Sequence, residues 1–177
     1  GYRRTVRTVV NHAAAVFCCS RFLRDEVATI SSHCRDGALY VVSPGYDASR
    51  FQVLGRSSFS GNESKTLRLI SVARLVGGKG HHFVLDALKA SRYPVQLVII
   101  GDGPERVALE GQARALGIED RVTFTGMLAP VDIALHFARA DVFIQASTTA
   151  SSGWREGLGL SPIEAQASGL PVILTKS

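Results

Sequence analysis

No Asp-x-Asp pair occurs anywhere in the 177 residues, which removes the simplest carboxylate pair for holding a divalent ion on a diphosphate. Cysteine is scarce: Cys18, Cys19 and Cys34 are an odd number without metal-ligand spacing, so the reading is a reduced, intracellular protein with small thiols rather than a disulfide framework or a zinc site. Cys18 and Cys19 are adjacent, and on a strand they point to opposite faces and cannot serve one site. No run of about 18 apolar residues exists and no signal-peptide architecture is seen, so nothing is expected to span a membrane and a cytoplasmic location is expected. The opening GYRRTVRTVV has no initiator methionine and reads as the middle of a helix. The chain is therefore expected to be a fragment.

What is present is an ordinary globular composition with a formal charge of +5. A basic balance favours anionic partners such as phosphates or acidic headgroups. Much of the excess is local, because Arg3, Arg4, Arg7, Arg21 and Arg24 all precede the first acidic residue, Asp25.

Periodicity predicts a helix over residues 3–12, a strand over 14–19, a helix capped by Ser20 with Phe22, Leu23, Val27 and Ile30 on one side, and a strand over 39–43. From 48 to 65 the pattern dissolves into Ser, Gly, Asn and Arg, a composition suited to a connection. Residues 1–47 are thus expected to belong to one domain, 48–65 to a linker, and 66–177 to a second domain. There strands at 67–73, 95–100, 121–125, 141–146 and 171–175 alternate with helices at 81–90, with Phe83, Val84, Ala87 and Leu88 inward, at 104–116, at 131–138 and after Ser161. That alternation predicts an α/β fold, a Rossmann-like parallel sheet with helices on both faces and ligands at the carboxyl ends of its strands.

The loops at those ends hold the chemistry. RLVGGKG, Arg74 to Gly80, offers a guanidinium and an ammonium five positions apart that could clamp two phosphates. It is not a Walker loop, which needs glycine at Ala73 and Ser or Thr at Gly80. GDGPER, from Gly101, fails as a dinucleotide fingerprint because Arg106 takes the third glycine's place, though the turn could still approach a ligand. TGMLAP brings Gly126 and Met127 to the same edge. The stretch EGLGLSPIEAQASGLP then carries Glu156 and Glu164, with seven residues between them, around a loop leading into a helix. First-turn amides there would face anionic oxygens and the carboxylates would accept from sugar or ribose hydroxyls. His81 and His82 are neighbours on a helix and His136 lies on an apolar one, which argues for core or surface histidines rather than a metal site. Trp154 and Arg155 could stack on or clamp a ligand.

Taken in order, SPGYDASRF, ARLVGGKG, GDGP, VTFTG, ADVFIQAS and EGLGLSPIEAQASGLPV resemble the nucleotide-sugar-binding half of retaining glycosyltransferases with the GT-B fold, family 4, from about Ala13 onward. The resemblance implies that residues 13–43 are the last strand-helix-strand of an N-terminal acceptor domain. It implies that Arg74 and Lys79 hold the donor diphosphate, that Glu164 binds ribose and Glu156 the donor sugar, and that Leu158, Gly159, Leu160 and Ser161 offer backbone donors. Gly126 and Met127 would lie beside the base. Departures from the family pattern are Pro44-Gly45 for Asn-Gly, Ala146-Ser147 for Pro-Ser, and ASSGWR before Glu156.

The resulting expectation is a metal-independent glycosyltransferase without cofactor, passing a sugar from a nucleotide-diphosphate donor to a glycan or lipid-linked acceptor. Arg74, Lys79 and Glu156 are its catalytic candidates. Gly101 and Gly126 join Met127, Glu164 and the Leu158–Ser161 loop as substrate contacts. Peripheral contact with the inner face of the membrane is expected, and nucleic acid is not a partner. The alternatives are a nucleotide-sugar epimerase of the same fold and a non-catalytic basic binding module. The chain by itself is expected to bind donor weakly and to transfer nothing.

Overall fold

The structure, a computed structural model, describes residues 2–31, 37–53, 66–149 and 159–175. Two compact units divide it, Gly1–Gly45 and Tyr46–Ser177.

In the first unit, α1 (Tyr2–His12) precedes β1 (Val16–Cys18), α2 (Arg21–Ile30) and β2 (Leu39–Val41). β1 and β2 pair in parallel, Val16 opposite Leu39, with α2 as the crossover. Ser20 caps α2 in extended backbone, its Oγ accepting from the Leu23 amide at 3.2 Å, one of the first-turn donors that have no partner inside the helix. Phe22, Leu23, Val27 and Ile30 are half-buried while Asp25, Glu26 and Thr29 are exposed, so the helical period does select the side expected. Cys18 is buried and Cys19 half-buried. Cys34 lies outside the described residues.

The second unit is a five-stranded, wholly parallel sheet. Its strands are β3 (Leu67–Val72), β4 (Val95–Ile100), β5 (Val122–Gly126), β6 (Val142–Gln145) and β7 (Val172–Leu174), in spatial order β5-β4-β3-β6-β7. The connecting helices are α3 (His81–Ala90), α4 (Arg106–Ala115), α5 (Pro130–Arg139) and α6 (Leu160–Ala167). One core packs Val84, Leu85 and Leu88 of α3 and Leu109 and Ala113 of α4 on one face of the sheet. The other packs Ala134 and Phe137 of α5 and Ala165 of α6 with Ile70, Val72 and Phe143. Helices therefore cover both faces, as strands rich in Val, Ile and Leu require. The chain leaves β3 toward β4 and β5, then returns to pair β6 with the other edge of β3. That reversal of strand order is a topological switch point, and it opens a crevice between the carboxyl ends of β3 and β6.

Two expectations are corrected. On α3, Phe83 is 50% exposed and Ala87 is also outside, while His81, Val84, Leu85 and Leu88 face in. The run HHFVLDALKA permits two helical phases, and the sheet selects the one that buries both leucines. The helix expected from Pro104 starts at Arg106; Gly103 and Glu105 instead form a turn, accepting from the amides of Arg106 and Leu109. An Asp47 turn, with the Ser49 amide donating to Asp47 Oδ1 at 3.0 Å, leads to Phe51, only 4% exposed and 6.0 Å ring to ring from Phe137.

At the amino ends of β3 and β6 an ion pair fixes their register. Asp141, 5% exposed, accepts from Arg68 Nη2 at 2.8 Å, Nε at 3.0 Å and the Arg68 amide at 2.9 Å. Its own amide donates to the Arg68 carbonyl at 2.8 Å. The carboxylate beside it raises the Arg68 pKa further above its ordinary value.

Candidate functional site

Arg74 and Lys79 both lie on the loop that leaves β3 at the switch point. Arg74 is exposed and Lys79 half-buried, and Lys79 ends a short 3-10 turn, Gly77–Lys79. The Arg74 guanidinium makes no ion pair among the described residues. The turn is set by close backbone packing. Gly80 has φ +66, and a Cβ there would lie 1.9 Å from the Ala146 carbonyl oxygen. Only glycine fits a left-handed position with backbone at that range. Two residues earlier, the Gly78 carbonyl accepts from the Thr148 amide at 2.9 Å. The loop after β3 is thus docked on the residues that follow β6.

The α6 approach meets the same segment. Gly159 precedes α6 in extended backbone and, among the described residues, no side-chain cap bond is made at the helix start, where first-turn amides lack partners within the helix. A Cβ on Gly159 would lie 3.7 Å from Gln145 Nε2, and that amide donates to Ser147 Oγ at 2.7 Å. Thr175 closes the far side, its amide on the Gln145 carbonyl at 3.3 Å and its hydroxyl on the Ser147 carbonyl. Residues 145–148 are therefore the floor on which both loops rest. Sequence reasoning treated Ala146 and Ser147 only as departures from a pattern; small residues directly after a buried strand were the signal available.

Leu160 is exposed and Ser161 half-buried. Glu164, one turn into α6, is half-buried, and burial raises its carboxyl pKa above the ordinary value. A carboxylate so shifted gains from any hydroxyl donor that reaches it. Glu156 and Leu158 lie outside the described residues, as do Trp154 and Arg155.

Gly101, just past β4, and Gly126, the last residue of β5, stand further along the same edge. They are bonded to each other, the Gly101 amide donating to the Gly126 carbonyl at 2.9 Å. A Cβ on Gly101 would lie 2.0 Å from the Ala73 carbonyl oxygen, so packing against the β3 exit is reason enough for glycine there. Gly126 has φ +75 beneath the Arg106 guanidinium, 3.2 Å from the Cβ position. That guanidinium is held by Glu110 at 2.9 Å and Asp102 at 3.3 Å. Met127 is 81% exposed.

His81 is buried rather than superficial, and burial, then the Lys79 charge, then His82 pull its pKa down to about 4. No group of three or more His, Cys, Asp or Glu able to hold a metal ion is found among the described residues. No described helix is long and apolar enough to cross a membrane. In the first unit Arg4, Arg7 and Arg21 are exposed, while Arg24 is paired with Asp25 at 2.5 Å.

A wholly parallel sheet covered by helices on both faces, with its strand order reversing between β3 and β6, defines an α/β protein of the doubly wound class. The sequence profile of Glycosyl transferases group 1 matches residues 56–177, and the chain belongs to that family. It is 34% identical over 172 residues to the GDP-mannose-dependent alpha-(1-6)-phosphatidylinositol monomannoside mannosyltransferase of Mycobacterium tuberculosis, covering 86% of this chain and 44% of that protein. It is 34% identical to alpha-monoglucosyldiacylglycerol synthase of Streptococcus pneumoniae, over 95% of this chain and 38% of that one. Among solved structures, HepE from Anabaena in complex with UDP-glucose superposes with a TM-score of 0.79 at 25% identity, over 97% of this chain and 48% of that one. The chain thus spans less than half the length of these relatives.

Proposed function

We propose that this chain carries the donor-binding part of a retaining glycosyltransferase of family 4, which transfers a sugar from a nucleotide diphosphate to a glycan or lipid-linked acceptor. What carries the reading is the meeting of the Arg74–Gly80 loop and the Gly159 approach to α6 on residues 145–148, at the switch point of the sheet. Arg74 and Lys79 bind the diphosphate, joined by the amides of Leu158 to Ser161. Glu164 accepts from ribose hydroxyls, Glu156 from the donor sugar, and Gly126 and Met127 flank the base, with Gly101 supporting that edge. The M. tuberculosis and S. pneumoniae relatives bear names of lipid glycosylation, which supports a lipid acceptor and peripheral contact with the inner face of the membrane from the cytoplasm.

The chemistry follows from charge. As the bond between sugar and diphosphate lengthens, positive charge develops on the sugar and negative charge on the leaving phosphate. Cations and amides already aimed at that phosphate are worth more in the transition state than in the bound donor, which is the condition for a rate gain. With both cations supplied by side chains, the proposed reaction calls for no metal. A thermal-shift screen of the full-length protein against UDP, GDP and their sugars tests the class: a selective rise in Tm with one nucleotide supports it, and indifference to all of them contradicts it.

A further inference from the structure

Among the described residues, the buried side-chain polar atoms without a hydrogen-bond partner are Ser71 Oγ and the two ring nitrogens of His81. Each residue is 1% exposed. Ser71 lies between Ile70 and Val72, which face the α5 and α6 core, so alternation along β3 points its hydroxyl to the α3 side of the sheet. His81 belongs to the buried side of α3, with Val84, Leu85 and Leu88. Burying a polar group unpaired costs stability, and an apolar side chain of similar size would avoid it. An imidazole kept in that setting calls for an explanation beyond packing.

The location supplies one. His81 is two residues past Lys79, and the Lys79 charge acts on its ring. Between them stands Gly80, left-handed and pressed on the Ala146 carbonyl, so that any shift of the ring is passed to the lysine through one immobilised residue. We propose that His81 is a positioning residue for Lys79, its ring completing its hydrogen bonds only when the Gly77–Gly80 turn closes on a diphosphate, so that ring and ammonium act as one unit. The inference rests on the donor-site reading above. The unbound protein then holds an unpaired imidazole, and binding a diphosphate relieves it. Across the neutral range the ring is uncharged, so it adds no second cation to the loop.

The test is a double-mutant cycle in the full-length protein, with UDP and GDP binding measured by calorimetry beside Tm. His81→Leu is expected to raise Tm while weakening nucleotide binding by roughly tenfold, and to add nothing in a Lys79→Ala background, because residues acting as one unit are not additive. His81→Gln, which keeps a polar group, is expected to recover part of the affinity and covers the case in which the leucine variant fails to fold. Unchanged affinity in a folded His81 variant overturns the inference, as does a loss of the same size with Lys79 already removed. If Lys79→Ala itself binds both nucleotides normally, the donor-site reading fails instead, so the two failures are distinguishable.

Discussion

The Thr148 amide donates to the Gly78 carbonyl across 2.9 Å, joining the exit of β6 to the turn that carries Lys79. Two residues to either side, the Ala146 carbonyl fills the space where Gly80 would carry a Cβ. Gly80 of RLVGGKG is thereby explained by docking onto the neighbouring strand exit, and the lysine's position is a consequence of that docking.

A comparison of two glycines isolates this contact. Gly80 and Gly117 have almost the same backbone, φ +66 and +65, but the space beside Gly117 is open. Gly117→Ala should cost about 1–2 kcal/mol, the penalty for a left-handed alanine. Gly80→Ala should cost more, about 3 kcal/mol or beyond, because a backbone carbonyl must also move. Urea unfolding of both variants measures the difference; equal costs would mean that the Ala146 contact is not made.

The Arg68–Asp141 pair predicts a loss at the opposite end of the same two strands. Asp141→Ala leaves the Arg68 guanidinium and amide without their shared acceptor. A fully buried pair broken on one side costs about 3–5 kcal/mol, and the Arg68 side chain is 40% exposed, so about 2–3 kcal/mol is expected here. Urea or thermal unfolding reads it, and donor binding by the folded variant should change little.

Glu164 gives a pH signature. Burial raises its carboxyl pKa above its ordinary value of 4.5, so the folded state holds that proton more tightly than the unfolded state. Stability from this group is full below pH 4.5 and is lost as pH rises through the raised folded value. Glu164→Gln should therefore raise Tm at neutral pH, with the advantage vanishing below about pH 4.5, while it weakens nucleotide binding. A Tm gain that is the same at pH 4 and pH 7 would assign the effect to something other than the carboxylate.

Much of the architecture was legible because parallel strands buried on both faces read as apolar runs, as in VQLVII, and because Ser20 and Gly117 mark helix ends in the way capping chemistry demands. The inward side of α3 was not legible, since Phe83, Val84, Leu85, Ala87 and Leu88 satisfy two helical phases and the sheet alone decides between them. Phe51 was hidden for a related reason: one aromatic among Ser, Arg and Asp gives no period, and its partner Phe137 is distant in sequence. At the site, the cations and the helix start were readable as residue types. The floor formed by residues 145–148 was signalled only by small residues after a buried strand, because a backbone carbonyl meeting a glycine adds no side-chain signal of its own. The Ala73 carbonyl beside Gly101 is the same kind of contact, whereas Gly126 meets the Arg106 side chain.

The most direct measurement is kcat/KM for donor turnover by the full-length protein with Lys79→Ala, set beside its Tm and that of the parent. Loss of one preorganised cation on the leaving diphosphate predicts a fall of about 100-fold or more, equivalent to about 3 kcal/mol, at unchanged Tm. Turnover within a few-fold of the parent, in a variant that folds normally, would contradict the placement of the diphosphate at the β3–β6 switch point.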